Sequence, residues 1–291
     1  MGCERLLRLN TGKLMPIIGL GTYKIQGANT VQECLDTALS AGYRSIDTAS
    51  VYKNEEDIGA SLKHLLPKHG LKREDIFVTS KLSPRHHGTG TCYEACLDSL
   101  RRLQMDYLDL YLIHWPGVQS MKPDDVRQRD LRKQSWHDME KLYNEGKLHS
   151  IGISNYVEHH IRELLGYAAV KPAALQIECH PHTNQAQLAA LCKSHGIHFQ
   201  AYSSLGGGLD NMLIDLPVIQ SIAESYKKST AQVLLRWAIQ QGYGVLPKSI
   251  HPARIKENID IFDFELSEKD MDTLNKLNSE HHYAWNPVNI V

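Results

Sequence analysis

Among the ionisable residues in the first 114 positions of this 291-residue chain, four have types that could do chemistry together: Asp47, Tyr52, Lys81 and His114. Three of them end short, mostly apolar runs with strand composition. These runs are Ser45-Ile46-Asp47, Ile76-Phe77-Val78-Thr79-Ser80-Lys81 and Leu108-Asp109-Leu110-Tyr111-Leu112-Ile113-His114. Polar residues at the same end of successive strands imply a shared mouth, and in a parallel αβ barrel that mouth is the chemical face. The residue types also fit one task. A phenol loses its proton more readily beside an ammonium. Asp47 can pair with Lys81 and hold it, and a histidine can orient a carbonyl oxygen. Together they predict a proton donor for a carbonyl that is being reduced.

Such a mouth needs a frame of alternating elements, and the rest of the chain supplies one. Residues 7–15 read as a hairpin around Asn10-Thr11-Gly12. Strands are predicted over 17–20, up to Asp47, up to Lys81, up to His114, and over 150–154, 174–178, 198–202 and 244–247. Helices are predicted between them over 30–40, 55–69, 92–103, 134–144, 158–168 and 185–195. Two more follow over 217–226 and 230–241, then 252–259, and a last one over 268–277 behind a Ser267 cap. Regular alternation argues a parallel sheet. Eight units argue closure into a (β/α)8 barrel with an N-terminal hairpin and two extra helices. No linker or low-complexity run divides the chain, so residues 1–291 read as one domain. Two long loops, 115–133 and 203–216, follow strands and therefore belong to the chemical face. The second carries Gly206-Gly207-Gly208. The mixed charges of 122–133 read as solvated.

The formal net charge is −1, which offers no footprint for nucleic acid or an anionic membrane. No apolar run approaches the roughly 20 residues of a membrane span. The first residues lack the apolar core of a leader. Gly2-Cys3 resembles an acylation start, but Leu6 occupies the Ser/Thr position of that motif. A cytoplasmic location follows, with the six cysteines reduced, Cys92 and Cys96 included. Cys179-His180-Pro181-His182 has zinc-ligand residue types. It is read as a loop with incidental histidines, and no metal is assigned. His86-His87, His159-His160 and His281-His282 read as solvated pairs. No heptad or apolar patch is evident, which points to a monomer.

Further motifs then add up. They are Met15-Pro16-Ile17-Ile18-Gly19-Leu20-Gly21-Thr22, Gly42-Tyr43-Arg44-Ser45-Ile46-Asp47-Thr48-Ala49 with Tyr52, Thr79-Ser80-Lys81, Asp109-Leu110-Tyr111-Leu112-Ile113-His114-Trp115-Pro116, Gly152-Ile153-Ser154-Asn155, and Leu246-Pro247-Lys248-Ser249 with Arg254 and Glu257-Asn258. In this order and spacing, over nearly the whole chain, they resemble the aldo-keto reductases, NADPH-dependent carbonyl reductases on an αβ barrel. The resemblance implies Tyr52 as general acid, Lys81 and Asp47 lowering its pKa, and His114 positioning the carbonyl. It implies Ser154, Asn155 and Gln176 on the nicotinamide amide, and Tyr202 stacked on the ring. It places Lys248, Ser249 and Arg254 on the 2′-phosphate, Glu257 and Asn258 on the adenine, and Gly21, Thr22, Ser203 and Leu205 along the cofactor. The absence of Gly-x-Gly-x-x-Gly after the first barrel strand fits a family that does not use that fingerprint.

The loops after His114 and Tyr202 and the tail 279–291 are shorter than in longer members, which implies an open pocket poorly suited to steroids. Tyr23, Trp115 and Trp285 are expected as pocket walls. Ser83 stands where many relatives have an aromatic, and Arg85 follows with His86-His87. Small polar carbonyls are the implied substrates: 2-oxo aldehydes, or sugar- and uronate-derived aldehydes. Two other classes stay open at this stage. One is an NADPH-binding relative without turnover, serving as a regulatory subunit or a structural protein. The other is a metal-dependent barrel hydrolase, which the Lys248/Ser249/Arg254 block disfavours.

Overall fold

The barrel strands of this chain are short and mostly buried on both faces, which is why they read as near-continuous apolar runs. The computed structural model describes residues 6–206 and 213–291. Two strands, β1 (Leu6–Arg8) and β2 (Leu14–Pro16), pair antiparallel around Gly12, whose φ of 82° suits glycine. Eight parallel strands follow in unbroken spatial order: β3 (Leu20–Gly21), β4 (Ser45–Asp47), β5 (Phe77–Leu82), β6 (Leu110–Ile113), β7 (Ile151–Ser154), β8 (Ala174–Glu178), β9 (His198–Tyr202) and β10 (Gly244–Val245). A parallel bridge between Ile18 and Val245 joins the two edges. Val245 N–H donates to Ile17 O at 2.8 Å and Gly19 N–H donates to Val245 O at 3.0 Å. The predicted (β/α)8 barrel with its leading hairpin is therefore what the chain forms.

Helices α1 (Ala28–Ala41), α2 (Glu55–Lys68), α3 (Thr91–Leu103), α4 (Arg127–Asn144), α5 (Glu158–Leu165) and α6 (Ala186–Ser194) follow successive strands. Next come α7 (Pro217–Tyr226) and α8 (Thr230–Gln240) after β9, then α9 (Pro252–Ile259) and α10 (Glu268–Asn275). Gly42 ends α1 with φ 98°, as expected of a glycine stop. The Ser267 side chain accepts from Asp270 N–H and caps α10. Among the described residues, no helix is long and apolar enough to cross a membrane.

Two helices depart from expectation. Helix α4 starts at Arg127 rather than at 134. Its first turns bury polar side chains, Gln128 and Arg132, so no apolar stripe marks them. Gln128 Nε2 donates to Lys122 O and Pro123 O, and Arg132 pairs with Glu163 at 2.9 Å. The stretch 122–133 is thus half helix and partly interior, not a solvated loop. Helix α5 stops at Leu165, because Gly166 and Tyr167 turn back through i→i+3 bonds to Glu163 O and Leu164 O. In the loop 203–216, residues 207–212, with Gly207 and Gly208, lie outside the described residues.

The hairpin plugs the lower end of the barrel. Leu9 and Met15 pack against Phe77, Leu110, Leu112, Ala173 and Ala174 in one buried cluster. Higher up, Gly152 lets β7 approach its neighbours. A Cβ there would lie 2.6 Å from Ala174 O and 2.7 Å from Leu112 Cδ2. That close approach requires the glycine of Gly152-Ile153-Ser154-Asn155.

Candidate active site

The strand register brings the four ionisable residues to one end of the barrel. Asp47 is the last residue of β4 and pairs with Thr79, two residues before Lys81 on β5. Leu82 pairs with Ile113, and His114 N–H extends that ladder to Leu82 O at 3.3 Å. Tyr52 ends a single 3-10 turn, Ser50–Tyr52, directly after β4. Buried hydrogen bonds fix this turn. Thr48 Oγ1 donates to Asn54 Oδ1 at 2.7 Å, and Asn54 Nδ2 donates to Thr22 O and Ile25 O, both at 3.0 Å. Ser50 Oγ reaches Lys81 O, and Gln26 Nε2 reaches Tyr52 O. Asn54 is a fully interior polar residue at the start of α2, which the sequence reading passed over.

Lys81 Nζ is the centre of the cluster. It donates to Asp47 Oδ1 at 2.5 Å, Thr48 O at 2.8 Å and Tyr52 OH at 3.3 Å. Its side chain is fully buried, so an unpaired ammonium there would be very costly. Asp47 Oδ2 accepts from Gln176 Nε2 at 2.7 Å, and the same nitrogen donates to Gln200 Oε1 at 2.9 Å. The Tyr52 ring stands edge-on to His114 at 5.7 Å and tilted to Tyr23 at 5.1 Å.

The electrostatics hold protons in defined places. Burial lowers the Lys81 pKa, while Asp47 opposes the change. Burial also pushes Tyr52 well above its ordinary value, and the Asp47 carboxylate and Tyr23 add to that push. The expected lowering of Tyr52 by its neighbours is therefore opposed in this structure. Asp47 offsets the charge of Lys81, and the ring lies in a site of low polarity. The phenol keeps its proton. Burial, with Lys81 adding to it, holds His114 far below the usual histidine range and hence neutral. Its Nδ1 is buried without a partner.

Around this cluster stand the residues assigned to the cofactor. Asn155 adopts a left-handed φ of 61° and ties three strands together. Its Nδ2 donates to His114 O at 2.8 Å and Ser154 Oγ at 3.1 Å, and its Oδ1 accepts from Tyr202 OH at 2.7 Å. Both bonds of Gln176 Nε2 point into the barrel, which leaves Oε1 as its second polar atom. Thr22 spends its hydroxyl on Asp47 O at 2.9 Å. A Cβ on Gly21 would lie 2.8 Å from Leu246 O, so glycine is what allows the first barrel strand to lie against the segment before Lys248. Ser203 has φ 52° and its carbonyl accepts from Gly206 N–H, while Leu205 packs on the main core.

Lys248 and Arg254 flank the start of α9, and both are exposed. Among the described residues neither pairs with a carboxylate. Ser249 Oγ accepts from His251 N–H at 3.0 Å. Two unneutralised cations and a hydroxyl at a helix N-terminus are the donor set a phosphate group requires. A serine hydroxyl, an asparagine and a glutamine oxygen at the far end suit a carboxamide. The residues present thus fit NADPH. Glu257 accepts from the Ser229 hydroxyl and so also joins α9 to α8; Asn258 is buried.

The pocket walls divide into those brought together and those not. Trp115 and Trp285 meet at 5.0 Å, with Trp285 arriving from the tail. Tyr23 borders Tyr52 and is 56% exposed. Arg85 is not gathered with them; its Nε donates to Gln119 Oε1 at 2.7 Å. Nor is His87 a cation at the mouth. It is buried between Ser135 Oγ and Trp115 O, and burial pushes it down to about 4.

In the other two histidine pairs one member is exposed, His159 and His281, as expected of a solvated pair, while the other, His160 and His282, is turned inward. His159 and His160 both bond Ile290 O at 2.9 Å, and His282 Nδ1 lies 2.8 Å from Glu178 Oε2. In the Cys179–His182 segment, Cys179 Sγ donates to Asn184 O, His180 Nε2 donates to Glu178 Oε1, and His182 meets Tyr283 OH at 3.0 Å. Among the described residues, no group of three or more His, Cys, Asp or Glu side chains is arranged to hold a metal ion. Glu178 itself went unnoticed in the sequence, although it ends a barrel strand as Asp47 does.

A family model described as the Aldo/keto reductase family matches residues 17–279. The chain is 45% identical over 281 residues to "Glyoxal reductase" of Bacillus subtilis (strain 168), covering 97% of this chain and 95% of that protein. It is 41% identical to "Aldo-keto reductase family 1 member A1" of Xenopus tropicalis, over 94% of this chain and 89% of that one. Among solved structures, the Bombyx mori aldo-keto reductase in complex with NADP superimposes with a TM-score of 0.88 at 35% identity, covering 96% and 94% of the two chains. The Brucella melitensis aldo/keto reductase superimposes with a TM-score of 0.85 at 40% identity, covering 94% and 97%. The chain belongs to the aldo/keto reductase family, whose cofactor is NADPH, and is an oxidoreductase acting on carbonyl compounds.

Proposed function

We propose that the protein reduces small aldehydes, 2-oxo aldehydes foremost, with Tyr52 as proton donor. The observation that carries this reading is the buried Lys81 ammonium, 3.3 Å from the Tyr52 hydroxyl and pinned by Asp47 and Thr48. Bound NADPH supplies a hydride to the carbonyl carbon. Neutral His114 donates a hydrogen bond to the carbonyl oxygen and fixes its direction. Tyr52 gives its proton to that oxygen as negative charge develops. Lys81 then donates to the phenolate, and Asp47 keeps Lys81 charged while this happens. Buried in low-polarity surroundings, these groups need little reorganisation.

The cofactor roles follow the donor sets. Lys248, Ser249 and Arg254 hold the 2′-phosphate, with Glu257 and Asn258 beside the adenine. Ser154, Asn155 and the Gln176 oxygen hold the carboxamide, and Tyr202 stacks on the ring. Gly21, Thr22, Ser203 and Leu205 line the path between. The substrate class draws on two supports. The relative at 45% identity is named a glyoxal reductase. Tyr23 borders Tyr52 with a ring rather than a charge, and Arg85 is engaged by Gln119, which favours small neutral carbonyls over acidic ones.

The test is loss of NADPH absorbance with glyoxal, methylglyoxal, an aryl aldehyde and a uronate-derived aldehyde, for the native chain and Tyr52→Phe. Turnover should be fastest on the 2-oxo aldehydes and fall about 10²- to 10⁴-fold in the variant. Undiminished turnover in Tyr52→Phe would sink the assignment.

A further inference from the structure

Glu178 closes strand β8, two residues beyond Gln176, and is almost fully buried. No step of carbonyl reduction uses it. Its oxygens face the tail instead. Oε1 accepts from Tyr283 N–H at 2.6 Å, Ala284 N–H at 3.0 Å and His180 Nε2 at 3.1 Å. Oε2 accepts from His282 Nδ1 at 2.8 Å. Three of these four donors belong to three consecutive tail residues, and Trp285 is the next residue in the chain.

The rest of the tail is fastened at its two ends. Ser279 and His281 N–H donate to His182 O. At the other end, His159 and His160 hold Ile290 O, and Arg132 Nη1 donates to Val291 O at 2.6 Å. Between these fixings the tail arches over a cavity of about 180 Å³, lined by Asn155, Ile177, Tyr202, His282, Trp285 and Val288 among others. Asn155 and Tyr202 also belong to the proposed carboxamide and ring site. Trp285 stands 68% exposed and leans on Trp115. A side chain so exposed is not held by burial; its backbone must hold it.

We propose that Glu178 is a specificity-determining positioning residue: by gripping the amides of Tyr283 and Ala284 and the ring of His282, it fixes Trp285 against Trp115 as the outer wall for aldehydes that carry an aromatic group. The proposal rests on the carbonyl-reductase reading. A charged carboxylate accepting several hydrogen bonds makes a stiff anchor. Two-carbon aldehydes that bind near Tyr52 and His114 do not reach Trp285 and do not need it.

The experiment compares the native chain with Glu178→Ala, Glu178→Gln, Trp285→Ala and the double variant Glu178→Ala/Trp285→Ala. Hydrogen exchange at the Tyr283 and Ala284 amides is read first. It should be at least about tenfold faster in Glu178→Ala, with Glu178→Gln in between because its amide oxygen still accepts. Steady-state rates with benzaldehyde and with glyoxal are read second. Benzaldehyde should lose about five- to twentyfold in kcat/KM, mainly through KM, while glyoxal stays within about twofold. Trp285→Ala should give the same selective loss, and the double variant no more than either single one, as expected of residues acting through one another. Unchanged exchange would overturn the anchor. Equal losses on both aldehydes, a lower KM for benzaldehyde, or additive losses would overturn the specificity role. If the native chain oxidises NADPH with no aldehyde at all, the functional reading fails, and exchange alone decides whether Glu178 grips the tail.

Discussion

The strand-borne cluster and the loop-borne walls occupy the same mouth but are built in opposite ways. Asp47, Lys81 and Gln176 sit on β4, β5 and β8, fully interior, each with at least two short hydrogen bonds. Tyr23, Trp115 and Trp285 sit on loops and the tail, partly or largely exposed, and touch their neighbours through ring contacts. Proton transfer needs fixed atoms, so the groups that hold the Tyr52 hydroxyl are placed on strands that cannot shift without breaking the barrel. Substrate choice needs only a surface of suitable shape, and loops can supply it. Damage to the first region should therefore remove the reaction, and damage to the second should change which aldehyde is preferred.

The largest effect should come from Lys81→Met. It keeps the bulk of the buried stem but removes the ammonium between Asp47 and Tyr52. The expected loss in kcat is about 10²- to 10⁴-fold on every aldehyde, with NADPH affinity little changed. Stopped-flow oxidation of NADPH and cofactor fluorescence titration read the two quantities separately. A loss confined to one substrate class would contradict the division between the regions.

A middle-sized effect concerns pH and stability. Burial pushes His87 and His198 down to about 4 and His160 to about 3. All three are neutral in the folded protein at pH 7, whereas in the unfolded chain a histidine takes up a proton near pH 6.5. Below that value the unfolded state binds more protons, so stability is full above about pH 6.5 and drains away as pH falls toward 4. Each histidine contributes at most about 1.4 kcal/mol of loss per pH unit. The melting temperature should drop steadily from pH 7 to pH 5, and His87→Gln should flatten that slope. An unchanged slope would mean that His87 is not neutral in the folded state.

The same contrast governs how much could be read from the sequence. Alternating strands and helices, the glycine stop at Gly42 and the Ser267 cap are local patterns, and they led to the barrel without the coordinates. Three of the four residues at the mouth are legible because strand ends place polar side chains on one face, and Tyr52 follows the first of them by one short turn. Helix α4 was cut short in the reading because Gln128 and Arg132 bury themselves by hydrogen bonding to loop and tail rather than through an apolar stripe. One histidine of each pair departs from the solvated expectation for a related reason, while His86, His159 and His281 are exposed. His87, His160 and His282 each find a partner far along the chain, at Ser135, Ile290 and Glu178, and nothing local announces such a bond. Glu178 could have been found, since it satisfies the same end-of-strand criterion as Asp47 and His114.

Arg85 should give the smallest effect and the sharpest test of the walls. Its sequence position after Lys81 suggests a cation that greets acidic substrates. The structure turns its guanidinium to Gln119, where Gln119 N–H also bonds Pro84 O, so the side chain ties two loops together at the rim. An exposed cation is screened by water and salt. Arg85→Ala should therefore lower kcat/KM by less than about threefold, and equally for glyoxal and for a uronate-derived aldehyde, because a loosened rim does not distinguish charge. The decisive number is the ratio of the two losses at low ionic strength. A selective loss on the acidic aldehyde that fades as salt is raised would restore Arg85 as a substrate contact and place one wall under electrostatic rather than aromatic control.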